Sequence, residues 1–142
     1  MATYRYILAL IWIIGALGLF CVIFLSSING PLSTDPAAGW QWLLPNIMPT
    51  LSLIASSYFV PDLKLVKVGG SRSLAQFFQF AVALSVFYLF AILATIGAWA
   101  FRESGSLIDW LLLSNFWLGP LQGLTAAVIG IFFVQKVEAA QN

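Results

Sequence analysis

The eleven charged side chains of this 142-residue chain are spaced so that they leave four long neutral stretches. Residues 6–34, between Arg5 and Asp35, are 29 uncharged positions, and residues 36–61, between Asp35 and Asp62, are 26. Residues 73–101, between Arg72 and Arg102, are again 29, and residues 110–135, between Asp109 and Lys136, are 26. A membrane-spanning helix needs roughly 20 mostly apolar residues. Each stretch accommodates one span with short flanks and none accommodates two. The spacing predicts an all-α integral membrane protein, with four transmembrane helices at about 6–25, 40–60, 74–100 and 108–133 in an up-down bundle. Residues 1–142 then form a single membrane domain with no soluble domain.

Composition closes off the soluble alternatives. With 61% hydrophobic, 15% aromatic and 8% charged residues, the chain is far below the roughly 25% charge of a water-soluble domain. β-Barrel spans alternate apolar and polar residues, whereas Tyr6-Ile7-Leu8-Ala9-Leu10-Ile11-Trp12-Ile13-Ile14 does not. The first apolar run exceeds a signal-peptide core of 7–15 residues and has no A-x-A site, so it is expected to stay as an anchor.

Lys and Arg placement sets the expected orientation. Arg5, Lys64, Lys67, Arg72 and Lys136 fall on one side of the four spans, and Arg102 alone falls on the other. Both termini are therefore expected in the cytoplasm. Trp40, Trp42, Trp99 and Trp110 fall near the predicted outer boundaries, where an aromatic belt belongs.

The absent residues narrow the chemistry. There is no His and a single Cys, Cys21. This leaves no imidazole base, no disulfide pair and no thiolate cluster. No Asp, Glu, Lys or Arg falls deep within a predicted span, which argues against proton relays, voltage sensing and ion-coupled transport. A net charge of +1 excludes nucleic-acid binding driven by a large basic field. The expectation is a non-enzyme without cofactor or metal.

Neutral polar residues concentrate in two spans. In the second, Pro45, Asn46, Pro49, Thr50, Ser52, Ser56 and Ser57 group on one side of a helix at about 100° per residue. Pro45 and Pro49 each delete one backbone donor and free the carbonyls of Gln41 and Pro45. In the fourth, Asn115, Gly119, Gln122, Ala126 and Gly130 share a face, and Pro120 frees the carbonyl of Phe116. Asn46, Pro49, Thr50, Ser57, Asn115, Gly119 and Gln122 are thus the candidate residues, either lining a pore or cavity or packing helices. The third span, with Phe77, Phe78, Phe80, Phe87, Tyr88 and Phe90, reads as a lipid-exposed or aromatic packing wall. Lys64, Lys67 and Arg72 form a modest basic cluster for lipid headgroups or a cytoplasmic protein partner.

The segments Leu44-Pro45-Asn46-Ile47-Met48-Pro49-Thr50 and Trp117-Leu118-Gly119-Pro120-Leu121-Gln122-Gly123 have the look of motifs. The minimal four-span plan is similar to small prokaryotic membrane effectors of phage-exclusion systems. That likeness of architecture implies a prokaryotic inner membrane and a membrane-perturbing effector gated by a cytoplasmic partner. Two functions follow as expectations: a small oligomeric channel or pore, or a non-catalytic accessory or scaffold subunit of a larger complex. In both, the bilayer and other subunits are the partners, through homo-oligomerisation or a hetero-complex.

Overall fold

The computed structural model describes residues 2–59, 71–99, 101 and 106–134. They form four helices and no strand: α1 (Ala2–Asn29), α2 (Pro36–Phe59), α3 (Ser71–Trp99) and α4 (Leu107–Val134). Each is centred on one of the neutral stretches, with Arg5, Arg72 and Asp109 in the first turns of α1, α3 and α4. All helix ends except the carboxyl ends of α2 and α3 run past the predicted limits. Capping groups at the ends of the apolar runs account for extra turns.

The connection from α1 to α2 shows why. The carbonyl of Ser26 accepts the N–H groups of Gly30 at 3.1 Å and Leu32 at 3.2 Å, closing α1 past the predicted end. A Cβ at Gly30 would come within 2.7 Å of the Ser26 Cα, so a side chain there collides with backbone. Asp35 then caps α2, its Oδ1 accepting the Ala38 N–H at 3.3 Å, and Pro36 supplies the first helical residue without wasting a donor. The expected loop 26–39 therefore contracts to 30–35. Buried Leu32 plugs the hairpin against Gly39, where a Cβ would approach Leu32 Cδ1 to 2.6 Å. Ser106 caps α4 in the same manner through the Ile108 N–H, at 3.2 Å.

Side-chain pairs fix the packing. Phe20 meets Trp40 with ring centroids 5.9 Å apart, so α1 and α2 run antiparallel from their shared turn. Tyr4 stacks on Phe78 at 4.4 Å and Trp12 on Tyr88 at 6.0 Å, so α1 and α3 run parallel. Phe77 and Phe78 pack on Phe132, while Trp110 donates to the Thr95 carbonyl at 2.7 Å; α3 and α4 are antiparallel. The most extensive packing joins α2 to α4 and α3 to α4, with α1 resting more lightly on α2 and α3. Around the bundle the order is α1, α2, α4, α3. Directions alternate along the chain, so the neighbours α2 and α4 run parallel, and α2 and α3 lie diagonally opposite rather than side by side.

The interior is aromatic and aliphatic: Trp12, Trp42, Tyr88, Phe132, Leu8, Ile47, Ile92 and Leu118 are all buried. Ile14, Leu25, Phe87, Phe90, Phe116 and Ile131 are exposed, far more outward apolar surface than a protein in water presents. α1, α3 and α4 are long and apolar enough to cross a membrane. α2, at 24 residues, has the length, but its amide, hydroxyl and proline content holds it below that mark. Three helices long and apolar enough to cross a membrane are compatible with an integral membrane protein.

One expectation needs correction. Trp42 is not part of an interfacial belt: it is only 1% exposed, because its indole is used inside the bundle. The aromatic span divides between its two readings: Tyr88 is 0% exposed and packs inside, while its neighbours Phe87 and Phe90 are exposed. Lys64 and Lys67 lie outside the described residues, as does the side chain of Arg72.

Candidate functional site: the polar seam between α2 and α4

The two polar faces read from the sequence meet each other. Trp42 and Asn46 stand one turn apart on α2, opposite Ser114 and Asn115 on α4. The Trp42 indole Nε1–H donates to Ser114 Oγ at 3.0 Å, and the Ser114 hydroxyl donates onward to the Leu111 carbonyl at 2.6 Å. Asn46 Nδ2 donates to the Trp42 carbonyl at 2.7 Å and to Asn115 Oδ1 at 3.2 Å. Tyr88 reaches across the bundle from α3. Its hydroxyl donates to the Asn46 carbonyl at 2.8 Å and lies 3.3 Å from Asn46 Oδ1. Four buried side chains and the rim residue Asn115 thus form one connected network in which both amide hydrogens of Asn46 are used.

The network matters because an unpaired polar group in a bilayer is costly. Pairing across helices gives back about 0.6 kcal/mol on average, so it sets register and rotation more than gross stability. The charges of the described residues lie away from it, and those residues contain no cluster of His, Cys, Asp and Glu suited to a metal. What the seam offers is neutral hydrogen bonding.

Proline does not divide α2 into a polar and an apolar side as the sequence predicts. Asn46 (5% exposed) and Thr50 (0%) turn inward among Leu43, Ile47 and Ile54. Pro45, Pro49, Ser52 and Ser56 turn outward with Leu44 and Met48. Ser57 is half-buried and satisfies itself through the Ile54 carbonyl at 2.6 Å. On α4, Gly119 is exposed, Asn115 is exposed at the rim with its oxygen held by Asn46, and Gln122 is half-buried. The structure therefore joins Asn46 to Asn115 at the rim of the seam, and leaves Pro49 and Gly119 on the outer surface.

Thr50 stands apart from the other buried hydroxyls. Ser85, Thr95 and Thr125 each donate to the carbonyl four residues back, at 2.7 to 2.8 Å. For Thr50 that carbonyl belongs to Asn46, and Tyr88 already occupies it. The Thr50 hydroxyl is buried without a hydrogen-bond partner, and so are Gln122 Nε2 and Trp12 Nε1.

Sequence reasoning passed over Trp42, Ser114 and Tyr88. Positions 42, 46 and 50 recur every four residues, which places Trp42 on the amide-bearing face. Tyr88 is the single hydroxyl-bearing ring in a Phe-rich span. No family model, curated protein or solved structure matches this chain.

Proposed function

We propose that this chain is a four-span membrane subunit, without catalysis of its own, that works by lateral assembly through the outer α2–α4 face. The supporting observation is a polar stripe on the outside of the bundle at helix mid-length. Gln41, Pro45, Pro49, Ser52 and Ser56 are exposed along α2, and Asn115, Gly119 and Gly123 are exposed beside them on α4. Ser56 donates to the Leu53 carbonyl and Asn115 Oδ1 accepts from Asn46, and the polar groups that remain cost free energy where they face hydrocarbon unpaired. Another helix bearing the same groups satisfies them, since every amide both donates and accepts. Gly119 and Gly123 have the G-x-x-x-G spacing of close helix approach; a Cβ at either meets nothing within 4 Å. Ser52 and Ser56 repeat that spacing on α2.

A second copy of the chain is the occupant this self-complementarity favours. Replacing both Gly119 and Gly123 with Leu is expected to weaken assembly about tenfold or more, about 1.4 kcal/mol, while leaving the bundle folded. Cross-linking and mass measurement in nanodiscs check it. A wild-type chain that is monomeric in both nanodiscs and mild detergent overturns homo-assembly.

Inclusion of α2 as the fourth span is supported by direction. α1 and α3 run parallel, so a chain crossing twice in the same sense must return between them, and α2 is the helix between them in sequence. With both termini cytoplasmic, a cysteine at exposed Ser33 is expected to react with an impermeant thiol reagent from outside. Reaction only from the cytoplasmic side refutes the orientation.

Conduction is the second reading. The unpartnered interior atoms of Thr50 and Gln122 favour it, because a path through the seam needs groups not spent on packing. In this form the assembled chains are a pore, or an effector of a prokaryotic inner membrane, gated by a cytoplasmic partner at the segment bearing Lys64, Lys67 and Arg72.

A further inference from the structure

Two hydroxyls from different helices converge on one backbone oxygen. The Asn46 carbonyl accepts the Tyr88 hydroxyl of α3 at 2.8 Å. Within α2 it also lies four residues before the Thr50 N–H, the position of the helical hydrogen bond. A carbonyl oxygen has two lone pairs, so its capacity is taken up. Thr50 is buried and its hydroxyl has no partner. The other two buried threonines, Thr95 and Thr125, each donate to the carbonyl four residues back at 2.8 Å. The acceptor in that position for Thr50 is the one that Tyr88 holds. Local helix geometry keeps the Thr50 hydroxyl within reach of it, whatever the other helices do.

The phenol has a second acceptor on the same residue. Its oxygen lies 3.3 Å from Asn46 Oδ1, so a step of about half an ångström makes a full-strength bond there. That step leaves the seam intact. The Asn46 amide hydrogens are committed to the Trp42 carbonyl and to Asn115 Oδ1, and neither bond involves Tyr88. Moving the phenol to Oδ1 therefore replaces one Tyr88 bond with another and releases the carbonyl to Thr50. What seats the phenol on the carbonyl is its ring, stacked on Trp12 of α1 with centroids 6.0 Å apart.

We propose that the Asn46 carbonyl is an exchange point between α3 and α2: the Tyr88 hydroxyl holds it in the present position of α3, and the Thr50 hydroxyl takes it when Tyr88 steps away. α2 and α3 lie diagonally across the bundle, and Tyr88 is the side chain that spans between them. The exchange gives α3 two positions against α2 while the link from α2 to α4 stays fixed. Packed interiors move between discrete arrangements rather than continuously, and two hydroxyls sharing one acceptor make an element of that kind. The device lies within one bundle and rests on neither the assembly nor the conduction reading.

The test uses the full chain in nanodiscs. Asn46-Ile47 is the single Asn-Ile pair in the sequence. Labelling Asn with a ¹³C carbonyl and Ile with ¹⁵N therefore isolates the Asn46 carbonyl resonance in a spectrum that correlates the two nuclei. In Tyr88→Phe the resonance is expected to stay near its wild-type position, because Thr50 replaces the lost donor. In Tyr88→Phe/Thr50→Val it is expected to move, because no hydroxyl is left. Stability, read by reversible unfolding in mixed micelles, is expected to change sign with background. Thr50→Val alone removes an unpaired hydroxyl and keeps the shape, so the folded-to-unfolded ratio holds or rises. In the Tyr88→Phe background the same substitution lowers that ratio about threefold, the equivalent of an average hydrogen bond between membrane helices. A resonance that moves as far in Tyr88→Phe as in the double variant overturns the exchange. So does an equal loss from Thr50→Val in both backgrounds, which means that the hydroxyl has a partner of its own. Should the double variant fail to fold, the single variants decide. A resonance that stays in Tyr88→Phe supports the exchange, and one that moves, or a loss of stability in Thr50→Val alone, overturns it.

Discussion

Trp42→Ala is expected to destabilise the bundle by about 3–5 kcal/mol, the range for emptying a large aromatic site. The ring is 1% exposed among Leu43, Ile47 and their neighbours on α4. In a bilayer the cost does not come from exposing apolar surface to water, because lipid is as apolar as the core. It comes from the dispersion attraction forfeited around a cavity too confined to refill, together with the bond to Ser114. Trp42→Phe keeps most of the volume and loses the indole donor, so it is expected to cost about 0.6–1.7 kcal/mol, the span measured for hydrogen bonds between membrane helices. Reversible unfolding in mixed micelles, followed by far-UV circular dichroism, measures both. Equal losses for Phe and Ala mean that the hydrogen bond rather than the packing holds this position.

Asn46→Leu is the second large effect and the one that separates the two functions. The substitution keeps the volume close while removing the donor to Asn115 Oδ1 and to the Trp42 carbonyl. The Trp42 carbonyl and Asn115 Oδ1 lose that donor, for an expected loss of about 1–3 kcal/mol. Tyr88 keeps its bond to the backbone carbonyl of residue 46, which limits the damage. In a double-mutant cycle with Asn115→Leu, the coupling is expected near 0.6 kcal/mol and no greater than about 1.7. If the seam conducts, vesicles carrying Asn46→Leu lose ion flux while expression and assembly persist. If it only packs helices, assembly and activity fall together, in proportion to stability. Wild-type flux and wild-type assembly in both Asn46→Leu and Gln122→Leu place the function on another face.

The helices were legible because the bilayer imposes a simple rule. Eleven charges in 142 residues cannot be scattered through hydrocarbon, so they mark the ends, and four helices follow between them. The capping by Asp35 and Ser106 was seen only in the structure, and the extension of α1 and α2 depended on backbone geometry at Gly30 and Pro36. The polar residues of α2 and α4 were identifiable by the same logic, as exceptions in apolar runs. Their partners were not. A helical wheel ranks the faces of one helix by polarity and has no knowledge of its neighbour. It therefore placed Asn46 and Thr50 with Pro45, Pro49, Ser52 and Ser56, groups that the bundle divides between interior and surface.

Sequence alone determined what kind of molecule this is: an all-helical protein whose long apolar runs are compatible with a membrane, with no His, one Cys and a neutral polar content concentrated in particular stretches. These are matters of composition and spacing, and the solvent enforces them on any arrangement of the helices. Tertiary structure decided the pairings: that α4 rather than α3 packs against α2, and that Tyr88 crosses the bundle to the Asn46 carbonyl. Such pairings join residues 42 to 72 positions apart. They depend on the order and rotation of helices around the bundle, which small differences in side-chain fit select and no periodicity within a single helix encodes.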